Sequence, residues 1–227
     1  MHRIDIDTVE MTLDVMKYAI GRITNNQPEL GSPRSEAELL EAVGETITPE
    51  GIGGENAFAL FKDVLDIELA TPFPRLTYAE AVGRYGLDKP DTRFGLELKD
   101  ISDIVAGSNF KVFADAVKKG GIVKALNAKG CINFSRKEID DLTDFVAVYR
   151  AKGMAWIKVK ENEWQSPITK FFSDEEKQAL AERINMEPGD VVFFVADQPK
   201  VVNEALGHLR NHLGKTMGLI DEKEYHF

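Results

Sequence analysis

The stretch GDVVFFVAD, Gly189–Asp197, holds the most apolar strand candidate in the chain. Its run Val191–Ala196 follows a Glu187-Pro188-Gly189-Asp190 turn and reads as a strand through the middle of a sheet. Downstream, Pro199 falls near the first turn of a helix that aligns Val202, Leu206, Leu209 and Leu213 on one face. Upstream, Ser173 and Glu176 form a capping box, in which hydroxyl and carboxylate each satisfy a free backbone amide; the helix it opens carries Leu180 and Ile184. Pro167 interrupts an extended stretch that continues through Ile168 and Phe171, and Met154–Val159 reads as a strand. A second capping box, Ser135 with Glu138, opens a helix with Ile139, Leu142, Val146 and Tyr149 at helical spacing. Before it stand two further strand candidates, Ile122–Leu126 and Phe110–Phe113, the latter followed by a helical turn ending at Gly120-Gly121.

The N-terminal part is less regular. Arg3–Val9 alternates Ile4, Ile6 and Thr8 with Asp5 and Asp7, which predicts a strand with one acidic face. Leu13–Ile23 has helical spacing and stops at Asn25-Asn26-Gln27-Pro28; Ala37–Val43 and Ala57–Leu65 are shorter helix candidates around a Gly51–Gly54 break. Pro72-Phe73-Pro74 forces an extended path before a helix over Thr77–Tyr85, capped by Thr77 and Glu80, and Arg84–Arg93 reads as an ordered connection. Strands joined by short turns, without regular crossovers, favour an α+β fold with an antiparallel or mixed β-sheet covered by helices. The expected core is Phe113, Leu126, Ile139, Leu142, Trp156, Val159, Phe193, Val195, Leu206 and Leu209.

At 227 residues and 43% hydrophobic, the chain can bury a substantial core. The single Cys131 excludes an intrachain disulfide framework, and no apolar run nears the length of a bilayer span. A charged N-terminus is unlike a secretory signal, so a soluble cytoplasmic protein is expected. The net charge of -10 opposes bulk attraction to DNA or RNA, but it is uneven. Residues 1–90 hold 8 Lys and Arg against 16 Asp and Glu, whereas residues 91–227 hold 20 against 22. The second region can approach a phosphate backbone locally.

Candidate chemistry is sparse. His208 and His212 stand four apart on one helix, a spacing that can place two imidazoles on a metal, but Leu209 occupies the glutamate position of HExxH. Solvated or capping histidines are the simpler reading. Cys131 has apolar neighbours and no base beside it in sequence, which disfavours a nucleophile. Asp5 and Asp7 would place two carboxylates on one strand face roughly 6–7 Å apart, able to hold an ammonium group or a hydrated magnesium ion, or simply solvated. The glycine segments Gly51–Gly54 and Gly120-Gly121 match no phosphate loop. Lys118, Lys119, Lys124, Arg136, Lys137, Arg150, Lys152, Lys158, Lys160 and Lys170 make the second region locally basic, and those near Trp156 or Trp164 could contact RNA, although ordinary solvation also explains them.

Six ordered blocks carry a resemblance. They are PFPRLTYAEAVGRYGLDKPDTRFGLELKDISDIV from Pro72, FKVFADAVKKGGIVKALNAKG from Phe110, SRKEIDDLTDFVAVYRAKGMAWIKV from Ser135, SPITKFFSDEE from Ser166, GDVVFFVAD from Gly189 and VVNEALGHLRNHLGKTMGLID from Val201. Together they resemble the bacterial-type aspartate–tRNA synthetases, over the insertion domain shared with the glutamyl-tRNA amidotransferase system and part of its flanking core. Residues 3–16 resemble the segment after that family's second class-defining motif, with Asp5 and Asp7 at its acidic substrate-site positions, while Arg3, Val9 and Glu10 depart from its pattern.

The resemblance implies a core remnant over 1–93 with an atypical linker around 25–56, an insertion domain over 94–221, and a return toward the catalytic core over 222–227. It implies a parent class II enzyme that activates aspartate with ATP and Mg2+ and transfers it to tRNA. The family's arginine-bearing second and third motifs find no match in this sequence, so the isolated chain is expected to be inactive, with no cofactor of its own. Its expected partners are the rest of the synthetase and the tRNA-Asp acceptor arm, not DNA or a membrane. The alternative is a free-standing protein- or tRNA-binding accessory module related to the amidotransferase domain.

Overall fold

The computed structural model describes residues 74–221. Elements run in the order α1 (Tyr78–Tyr85), β1 (Lys99–Asp100), α2 (Ser102–Val105), α3 (Lys111–Lys118), β2 (Ile122–Ala128), α4 (Arg136–Val148), β3 (Ala155–Val159), β4 (Trp164–Gln165), a 3-10 turn (Thr169–Phe171), α5 (Asp174–Ile184), β5 (Val191–Asp197) and α6 (Pro199–Thr216). The strands form one sheet of order β1-β2-β5-β3-β4, antiparallel at every pairing. The expected central strand is indeed central: β5 pairs with β2 along its whole length and with β3 on its other side.

Helices cover both faces of the sheet. Because side chains alternate along a strand, Val191, Phe193 and Val195 meet α4 and α6 through Ile139, Leu142, Leu206 and Leu209. Val192 and Phe194 instead meet α2, α3 and α5 through Val105, Phe113, Leu180 and Ile184. The expected core residues therefore divide. Phe113 and Val159 belong to the second cluster and the others to the first, where Trp156 is only partly buried at the margin.

Three predicted caps form as read: Thr77 with Glu80, Ser135 with Glu138 and Ser173 with Glu176 each close a reciprocal box. Pro199 stands in the first turn of α6, where its missing N–H costs nothing. Two local readings fail. Phe110–Phe113 is not a strand; Lys111–Lys118 is helical, and the Phe110 and Phe113 rings meet edge-on at 4.7 Å, an i, i+3 contact that an extended strand cannot make. The stretch through Ile168 and Phe171 is not extended either. The Ser166 hydroxyl accepts from the Ile168 N–H and the Thr169 hydroxyl donates to the Ser166 carbonyl, curling the chain into a 3-10 turn.

The segment before β1 is tied to α6. Arg210, fully buried, donates to the Phe94 and Gly95 carbonyls at 2.7–3.1 Å and lies 4.0 Å from the Phe94 ring centroid and 4.7 Å from that of Tyr85.

Candidate functional site

Arg136 is the first residue of α4, held there by the Ser135–Glu138 box, and its guanidinium lies 5.5 Å from the Trp156 ring centroid on β3. Beside this pair opens a cleft of about 790 Å3, bounded by α3, the start of β3, the Ser166–Ile168 bend and the end of β5. Phe113, Ile168 and Phe194 form its apolar floor, and Val112 stands on its wall with 60% of its surface exposed. The rim carries Lys119, Arg136 and Lys152 together with Asp115 and Asp197. Lys152 pairs with Asp197 at 3.2 Å and Arg136 with Asp140 at 3.0 Å, whereas Lys119 has no ion-pair partner among the described residues. The rim is close to charge balance.

Several of the residues that make the second region locally basic are occupied structurally. Lys124 is buried, donates to the Gly83 carbonyl at 2.8 Å, and has its amine pulled below the ordinary value by burial, partly offset by Asp100. The Lys158 amine donates to the Ile132 and Phe134 carbonyls. Neither is free for phosphate. Lys119, Arg136 and Lys152 are the members of that set gathered at the cleft.

His208 and His212 are neither caps nor a metal pair. The His208 ring stacks on Tyr149 at 4.0 Å with 10° between planes, and His212 packs against Phe145 at 4.8 Å, so both join α6 to α4. Cys131 is buried, and desolvation with the nearby Asp190 charge pushes its thiol up from the ordinary value, away from thiolate chemistry. Asp5 and Asp7 lie outside the described residues. Among the described residues no group of three His, Cys, Asp or Glu could hold a metal, and Arg210 is committed to backbone carbonyls.

Sequence reasoning missed Asp190 and Arg210. Asp190 is buried at the foot of β5 and accepts from the Asn127 amide at 2.9 Å and from the Glu187 and Gly130 N–H groups, with the Lys129 amine at 3.0 Å. Burial alone would raise its carboxyl, but these donors outweigh it and hold the group below the ordinary carboxylate value. Arg210 had a legible signal, since it sits four residues after Leu206 and three before Leu213 on the buried stripe of α6. Asp190 had none.

Comparison with known proteins places this architecture. Residues 113–206, from within α3 to the first turns of α6, match the family model of the GAD domain. The chain is 65% identical over 178 residues to the aspartate–tRNA(Asp/Asn) ligase of Desulfatibacillum aliphaticivorans, covering 78% of this chain and 30% of that protein. It is 60% identical over 156 residues to the corresponding ligase of Desulfosudis oleivorans, covering 69% and 26%, and 48% identical over 203 residues to that of Geotalea uraniireducens, covering 89% and 34%. The chain contains a GAD domain and, over most of its length, is similar to a part of the aspartyl-tRNA synthetases. It spans about a third or less of the length of these relatives.

Proposed function

We propose that this chain serves as the accessory GAD region of an enzyme that activates aspartate with ATP and Mg2+ and esterifies it to tRNA. The domain lies beside the tRNA acceptor arm in the cytoplasm, next to the remainder of the synthetase. The observation that carries this reading is the identity of 65% over 178 residues to a ligase named for tRNA(Asp/Asn), together with the GAD match over residues 113–206. No helix among the described residues is long and apolar enough to cross a membrane. In this proposal the chain does not catalyse alone. Phosphoryl chemistry needs fixed cations around the leaving group, and the buried cations of the described fold, Arg210 and Lys124, donate to main-chain carbonyls, as does the half-buried Lys158.

Aspartate-dependent ATP–pyrophosphate exchange tests the catalytic half of the proposal. The purified 227-residue chain is expected to give none above a blank, and exchange that follows the chain through purification would overturn it. Titration with tRNA-Asp over a range of salt tests the RNA half. Binding tighter than to an unrelated RNA and weakening with salt is expected; equal binding to both RNAs would reject it. We place the division between core flank and insertion domain at Arg93/Phe94 and keep Asp5 and Asp7 as weak candidates for substrate contact in the complete enzyme. Asp5→Asn and Asp7→Asn in that enzyme should raise the KM for aspartate, and an unchanged KM would remove them.

A further inference from the structure

The cleft contains an open strand edge. β4 pairs with β3 only at Lys158 and Val159, through Gln165 and Trp164. Beyond Gln165 the chain bends away at Ser166, and Pro167 has no N–H to offer. The Val159 N–H donates to the Asp190 carbonyl and its own carbonyl accepts from Gly189, so Val159 faces β5. Backbone direction alternates along a strand, so Ile157 and Ala155 also face β5. Trp156 therefore directs its N–H and C=O outward, where no backbone hydrogen bond reaches them among the described residues. An uncovered edge is a template for another strand.

The surroundings select what could pair there. One side of the edge meets the apolar wall and floor of Val112, Phe113 and Ile168; the other meets the Arg136–Trp156 pair. A strand added at this edge would alternate between an apolar and a cationic surface. Stacked bases suit the cleft less well. Phe110, its remaining aromatic, is already engaged by Phe113 and Phe171, and Arg136 covers one side of Trp156.

We propose that the outer edge of β3 is a docking site for an extended peptide segment of a partner protein, whose side chains alternate apolar with acidic. Main-chain hydrogen bonds to Trp156 provide the anchor, the floor takes the apolar side chains, and Arg136 exchanges its exposed pair with Asp140 for a partner carboxylate. This docking stands independently of any tRNA contact.

The test uses the 227-residue chain and a labelled hexapeptide of alternating valine and glutamate. Three further probes accompany it: the same peptide N-methylated on its edge-facing amides, an alternating valine–lysine peptide, and a single-stranded RNA hexamer. The valine–glutamate peptide is expected to bind and to slow hydrogen exchange at the Trp156 amide. N-methylation should weaken binding at least about tenfold, the loss expected for main-chain hydrogen bonds left unmade. Arg136→Glu should reverse the preference toward the valine–lysine peptide. Trp156→Pro, which removes an outward N–H at an edge, should abolish binding while circular dichroism stays unchanged. Absence of valine–glutamate binding, indifference to N-methylation, or uptake of the RNA hexamer in place of the peptide would each overturn the proposal.

Discussion

Asp190 keeps its charge in the interior because four donors converge on it. Its carboxyl titrates below the ordinary value of 3.8, so the folded state binds that proton less readily than the unfolded chain. The stabilisation is fully present above the ordinary value and is lost as pH falls from there through the lower folded value. Asp190→Asn should therefore flatten the acid limb of a stability-versus-pH curve, which urea unfolding at stepped pH would show. Asp190→Ala should cost about 3 kcal/mol, because it takes the acceptor away from the Asn127 amide and from the Glu187 and Gly130 N–H groups. Arg210 makes the complementary case. A lysine has one compact charge and cannot reproduce a guanidinium that bonds two carbonyls while lying against two rings, so Arg210→Lys is expected to lose about 2 kcal/mol or more. A denaturation midpoint equal to the parent's would refute that assignment.

Helices α1 and α6 approach closely enough to exclude side chains at their crossing. A Cβ on Gly86 would lie 2.4 Å from the Asn203 carbonyl oxygen, and one on Gly207 would lie 2.8 Å from the Leu87 Cγ. Gly86 also has φ +85, ending α1 in the left-handed conformation. Gly86→Ala should thus destabilise by more than the roughly 1 kcal/mol set by the backbone conformation alone, with a thermal melt as the measure. Ser135→Ala removes one hydroxyl from the box at the start of α4 and should cost about 1 kcal/mol. These boxes were readable because they are local: hydroxyl, spacing and carboxylate fall within four residues. Phe110–Phe113 was misread for the converse reason. A short apolar run has no period of its own until a neighbouring surface selects one, and here the β2–β5 face selected the helix by burying Phe113.

The compact unit that contains the sheet runs Phe73–Phe227 and includes α1 and the Arg84–Arg93 connection. Ala81 and Tyr85 are buried, and Arg210 binds the carbonyls just after the connection. A chain beginning at Pro74 is expected to unfold in one cooperative step. One beginning at Phe94 should lose roughly 2–4 kcal/mol for those two side chains, as urea unfolding would read. Equal stability of the two would make the flank dispensable.

By itself the sequence determined the central strand, the capped helices and the resemblance carried by six ordered blocks, because each rests on contiguous residues. Only the tertiary structure decided which face each core residue joins, that Lys124 and Lys158 are spent on main-chain carbonyls, and that Asp190 is a buried hub. It also decided that the β3 edge lies open beside Arg136. The physical reason is sequence separation: the groups that neutralise, bury or expose these side chains are brought together by sheet pairing, and pairing partners tens of residues apart leave no mark on local pattern.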